Sequence, residues 1–186
     1  MTIKTFATAA ALAVTAGMAF AAGHSANPMV GGAEMLAEKN IVENAVNSPI
    51  HTTLVAAVTQ ADLVETLSGA GPFTVFAPTD DAFGLITEET LGALLIDENK
   101  AQLTQILTCH VVGAEVFSEA LAGLIAEGGG AFAVETLGGC TLKAEMDGES
   151  ITLTDENGRV ATVTVADVDQ SNGVIHVIDR VILPQQ

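Results

Sequence analysis

The side chains of this chain that could do chemistry are four histidines, two cysteines and several paired acids. The histidines are His24, His51, His110 and His176. His24 lies in a Gly- and Pro-rich stretch. His110 and His176 lie in apolar stretches, which favours a buried, hydrogen-bonded ring over a general base or a ligand. The acid pairs Asp80/Asp81, Glu88/Glu89, Asp97/Glu98 and Asp155/Glu156 have the composition of a catalytic dyad. Adjacent residues on a helix point in different directions, however. Several of these pairs also open predicted helices, where the macrodipole favours carboxylates, so they read as capping and solvating groups. Cys109 and Cys140 form no C-x-x-C, which argues against thioredoxin-like redox work. Scattered His and two distant Cys give no zinc-ligand spacing.

Three motif fragments fail on context. Ser68 lacks the preceding Gly of a nucleophile elbow. Gly69-Ala70-Gly71 begins like a dinucleotide loop, but it precedes a strand and Thr74 takes the third Gly position. Asp167-Val168-Asp169-Gln170-Ser171 begins like a calcium loop. Asn172 then replaces its sharp-turn Gly, and Ile178 its bidentate Glu. The sequence therefore assigns no catalytic, cofactor-binding or metal-ligating residue, and the expectation is a protein that is not an enzyme.

Composition narrows the partners. The 186 residues carry 6 Lys+Arg against 23 Asp+Glu, a net charge of −17. Nucleic acids and anionic membranes would be repelled. Trp and Tyr are absent, which removes the usual aromatic stacking platforms. With 49% apolar residues there is material for one ordinary core.

Residues 1–21 read as a cleaved signal peptide: Lys4, an apolar run from Phe6 to Phe20, and an A-x-A pattern at Ala19–Ala21. No later segment is long and apolar enough to anchor the chain, so no membrane insertion is expected after cleavage. The expected destination is periplasmic or extracellular. In an oxidising compartment Cys109 and Cys140 read as a disulfide, with two separate buried thiols as the alternative.

Residues 22–39 form a lead-in arm and 40–184 the domain. The pattern from Ala33 to Leu67 is helical, with Asn40 and Glu43 as a capping box. Phe73–Ala77 predicts a buried strand ended by Pro78. Thr79 and Thr87 each cap a short helix, and Asp97 opens a longer one that stops before His110. Ser118 caps one more. Asp147-Gly148 and Asn172-Gly173 mark tight turns between the strands of the last third. Helices first and strands later predict an α+β fold.

Two segments, Thr74–Phe83 (TVFAPTDDAF) and Asn172–Pro184 (NGVIHVIDRVILP), resemble the two signature segments of the fasciclin-like domain family. Leu107–Val112 (LTCHVV) looks like that family's Tyr-His region, with Cys109 in place of the Tyr. The resemblance spans about Asn40 to Pro184. It implies an α+β fold, a β-sandwich-like wedge with several surrounding helices. It also implies a secreted or surface-displayed module for adhesion and matrix interaction, not usually an enzyme. In animal members an Asp followed by two aliphatic residues ahead of the second segment is linked to integrin binding. Here that stretch is Asp167-Val168-Asp169, so integrin binding is not expected.

His110, Asp167 and Val168 are the candidate interaction residues that the resemblance implies. The expected partner is a cell-surface or matrix protein or polymer, with weak dependence on divalent cations following from the charge. The alternative is a small-ligand or metal-handling protein of the cell envelope, motivated by His110 and His176 in an acidic, exported fold.

Overall fold

A computed structural model describes residues 27–185. Residues 1–21, expected to be a signal peptide, and His24 lie outside the described residues.

The chain opens with a small hairpin, β1 (Met29–Val30) and β2 (Ala33–Glu34). Three helices follow: α1 (Ile41–Asn47), α2 (Thr52–Gln60) and α3 (Val64–Leu67). Helix α1 starts at the expected capping box, in which the Asn40 side chain accepts from Glu43 N at 2.9 Å and Glu43 Oε2 accepts from Asn40 N at 3.0 Å. The helical expectation for Ala33 onward fails at its start. Gly31 and Gly32 adopt positive φ and fold Ala33–Glu34 back onto Met29–Val30. Val30 and Met35 are then buried in the core, so this part of the arm is packed.

Strand β3 (Phe73–Pro78) is buried nearly throughout. Thr79 stops it by capping α4 (Asp80–Gly84), accepting from Ala82 N at 3.2 Å, and Thr87 caps α5 (Glu88–Leu94) in the same way. Asp97–Asn99 forms a single 3₁₀ turn before α6 (Lys100–Thr108), so the long helix begins three residues later than its acids suggest. Strand β4 (Val111–Val112) and helix α7 (Ser118–Glu127) follow. The remaining strands are β5 (Ala131–Glu135), β6 (Thr141–Asp147), β7 (Ser150–Thr154), β8 (Val160–Gln170) and β9 (Gly173–Ile178). Strand β5 follows three glycines and carries only five residues, and the sequence reading passes over it.

The other seven strands form one sheet in the order β4-β3-β9-β8-β7-β6-β5. All neighbours are antiparallel except β3 and β9, which run parallel. Strand β8 pairs with β7 at its start and with β9 through a bulged register over the rest. That bulge turns the sheet, giving a barrel-like wedge with helices around it: an α+β fold.

Two cores lie on opposite faces of β3 and β9. Val75, Ala77, Ile175 and Val177 face the core covered by α1, α2 and α6. Phe76 and Ile178 face the second core, with α7 and β5–β8. The period-two alternation of a strand is therefore hidden here, because both faces are covered.

The turn into β9 holds the layers together. Asn172 Oδ1 accepts from Ile41 N at 3.0 Å, and its Nδ2 donates to Leu67 O at 2.8 Å and Gly69 O at 2.9 Å. Gly173 follows at φ +151°, where a Cβ would overlap the Phe73 backbone. Only Gly fits that approach.

Replacing Asn172 by Ala should therefore cost about 2–4 kcal/mol, since it strands one N–H and two carbonyls. Urea unfolding of the two proteins compares them directly. A loss below about 0.5 kcal/mol, the low end for one net hydrogen bond, would contradict this role.

Candidate functional site

Of the residues singled out in the sequence, Asp167, Val168 and His176 lie together where β8 pairs with β9, and His110 lies between the end of α6 and the last segment of the chain. They arrive as fasteners.

His110 follows α6 and is buried. Its Nδ1 donates to Ile106 O at 2.8 Å, and its Nε2 accepts from Ile182 N at 2.9 Å. That pattern needs the neutral ring with the proton on Nδ1. Burial pushes its pKa down to about 4, against the opposing pull of the Ile106 carbonyl and Asp155. The ring thus ties the end of α6 to the last segment of the chain. Beside it Cys109 and Cys140 are joined in a disulfide, their Cα atoms 5.3 Å apart. The bond links the end of α6 to the start of β6, across the second core.

His176 sits in β9, stacked on Phe76 with ring centroids 5.7 Å apart. Its Nε2 donates to Val116 O at 2.8 Å, and its Nδ1 accepts from Asp167 N at 3.2 Å. Burial lowers its pKa as well. Asp167 occupies the β8 bulge at φ 58° and turns its carboxylate to α7. Oδ1 accepts from Ser118 N at 2.6 Å, and Oδ2 accepts from the Ser118 hydroxyl. Ser118 is therefore the first residue of α7, and Asp167 supplies the capping oxygen that the sequence reading gave to Ser118 itself.

Asp167, His176 and Ser118 resemble a catalytic triad in composition only. The carboxylate holds the serine, and the imidazole holds a carbonyl and a backbone N–H. The imidazole does not bond the hydroxyl, so the trio lacks the Ser–His contact on which a triad of this composition depends.

Val168 is fully buried in the helix-covered core. Asp169 pairs with Val174 and Gln170 with Gly173, so the fragment resembling a calcium loop is strand. Gln170 instead meets the buried Asn44 side chain. Among the described residues no group of three or more His, Cys, Asp or Glu is placed to hold a metal ion.

A functional residue that sequence reasoning missed is Asp80. His51, which precedes α2, offers that helix no side-chain cap. Asp80 does so from across the chain, accepting from Thr52 Oγ1 and Thr53 N, each at 2.8 Å. Its own burial would raise the pKa, but the bonds from Thr53 and Thr52 outweigh that and hold it low. Its place at the start of α4 signalled a local cap, which hid the distant one.

Comparison with known proteins places this geometry. The family model described as the fasciclin domain matches residues 49–184. The chain belongs to the fasciclin domain family. Protein sll1483 of Synechocystis sp. is 46% identical over 149 residues, covering 77% of this chain and 73% of that protein. Human periostin is 36% identical over 129 residues, 69% of this chain but 14% of periostin. A FAS1 domain pair from the insect cell adhesion molecule fasciclin I superposes with a TM-score of 0.69. At 20% identity, covering 78% of this chain and 51% of that one, it shares the fold.

Two outcomes follow from the fasteners. His110 takes up its proton at 6.5 when unfolded and near 4 when folded. Its contribution is complete above pH 6.5 and is lost as pH falls toward 4, because the unfolded chain gains the proton first. The loss for this group is about 3 kcal/mol. His110→Gln, which keeps a donor and an acceptor without titrating there, should flatten the fall in urea midpoint between pH 7.5 and 4.5. An unchanged profile would contradict the assignment. Reducing the disulfide should cost about 3–4 kcal/mol in the chain-entropy model, read from urea midpoints with and without reductant.

Proposed function

We propose that this protein is an exported adhesion or matrix-interaction module that binds a cell-surface or matrix protein or polymer and catalyses no reaction. Membership of the fasciclin domain family carries this reading. A structural relative, the FAS1 pair of fasciclin I, comes from a cell adhesion molecule.

The disposition of the reactive side chains supports it. His110 and His176 hold backbone groups with both ring nitrogens, and both cysteines are bonded. What the domain turns outward is acid, including Asp81, Glu88, Glu89, Glu119 and Glu149, all exposed. Contacts made by such a surface weaken with salt and strengthen where a divalent cation bridges two carboxylates. No helix among the described residues is long and apolar enough to cross a membrane. Export rests on the leader-like residues 1–21, and residence in the periplasm or outside the cell follows from it.

Asp167, Val168 and His110 act here by shaping the surface above them. Val168 and His110 are core residues, and Asp167 is half-buried against α7.

The test is attachment by cells lacking the gene, with purified protein added back at low and high calcium and at two salt concentrations. Attachment should drop, and the added protein should restore it best at low salt with calcium. Unchanged attachment, with no binding to cells, surfaces or matrix polymer in any condition, would count against adhesion.

A further inference from the structure

Helices α1, α2 and α3 do not close completely over β3. They leave an apolar cavity of about 140 Å³. Ile41 and Val42 of α1, Leu54 and Val58 of α2, Leu67 of α3 and Val111 of β4 line it. Val46 stands at the same opening with 64% of its surface exposed. His110 also lines it. Both its ring nitrogens are engaged by Ile106 and Ile182, so the ring offers the cavity no free polar atom.

A void of this size in a packed core lowers stability unless something occupies it. An aliphatic cavity of similar volume excludes water and accepts a small hydrocarbon ring.

Charge selects among apolar occupants. Of the four helices that line the cavity, α1, α2 and α3 carry Glu43 and Glu65 and no Lys or Arg; α6, which contributes Leu107, has its one cation, Lys100, at the opposite end, paired with Asp62. No charged side chain lines the wall. In a protein of net charge −17, nothing there would offset the desolvation of an anionic headgroup.

We propose that the cavity between α1, α2 and α3 is a binding site for a small, uncharged, apolar molecule, a hydrocarbon of about six to ten carbons or an aromatic ring of that size. This site is separate from the acidic surface invoked for adhesion, and its test does not involve attachment.

The test is a methyl-detected NMR titration of the purified protein with toluene and, in parallel, benzoate, which has the same ring with a negative charge. Toluene should give saturable, one-to-one shifts confined to the methyls that line the cavity, among them those of Val42, Val46, Leu54, Val58 and Leu67. Benzoate should leave those methyls in place.

Two variants at lining residues of α1 fill the space, Ala45→Leu and Val42→Phe. Either one that keeps the wild-type methyl spectrum elsewhere should weaken toluene binding about tenfold or more, since each displaced carbon forfeits its burial. Absent or non-saturating toluene shifts would overturn the proposal. Equal binding of benzoate would overturn the selection for uncharged ligands. Undiminished toluene binding in a folded, filled variant would place the site elsewhere. Shifts of the same methyls with protein concentration alone would give the groove to a second copy of the chain, and that too would overturn it.

Discussion

The parallel pairing of β3 with β9 is the constraint on which the rest of this structure depends. Phe73 lies beside Gly173 and Pro78 beside Ile178, so every residue between β3 and β9 belongs to one crossover connection. Parallel neighbours always need such a crossover, and this one contains most of the domain. The pair is also buried on both faces. Its backbone groups find partners only if the returning strand arrives in one register. Asn172 and Gly173 impose that arrival. The Asn side chain fixes the turn against the start of α1 and the end of α3, and the missing Cβ lets Gly173 approach Phe73.

The same two strands direct the helices around them. Three helix starts donate a hydrogen bond to side chains that flank β3 or β9 or lie in the β8 bulge beside β9. Asn172 reaches the first N–H of α1, Asp80 the first turn of α2, and Asp167 the first N–H of α7. The first N–H groups of a helix have no partner within it, and satisfying them from a distant segment joins helix formation to tertiary assembly. Short helices gain most from this. Helices of seven to ten residues are marginal alone and depend on what they pack against. The fasciclin signature segments are thus the places where sheet and helices are bolted together, and their residue types follow from that work.

This explains which features were legible in the sequence. Local devices read correctly: the Asn40–Glu43 capping box, the threonines that open α4 and α5, and the turn at Asn172-Gly173. Each is a bond between residues a few positions apart. Long-range devices read poorly. Asp80 looks like a local helix-start acid, and Asp167-Val168-Asp169 like the start of a cation loop. Their partners lie 27 and 49 residues away, at Thr53 and Ser118. Hydropathy failed in its own way. The pattern around Ala33 fits a helix, but the two glycines before it take conformations that close a hairpin. At the candidate site the buried, hydrogen-bonded state of His110 and His176 was legible, and their partners were not. A histidine in an apolar run signals burial without naming the backbone groups that it will hold.

Histidine is well suited to such a role in an acidic domain. A carboxylate placed where His110 sits would have to bury a negative charge, and a Lys a positive one, each at large cost. Neutral imidazole offers one donor and one acceptor on a rigid ring, and His110 and His176 each use both. Burial keeps the rings uncharged, so the layers meet without introducing charge into the core. Apart from Asp155, which is buried against Arg159, the acids are left to the outer or half-exposed surface, where their mutual repulsion favours solubility and their contacts respond to salt. Because the polar side chains of the interior are committed to holding strands and helices, surface residues can change without disturbing the frame. A fold built this way can keep its two signature segments while its outer face is fitted to different partners.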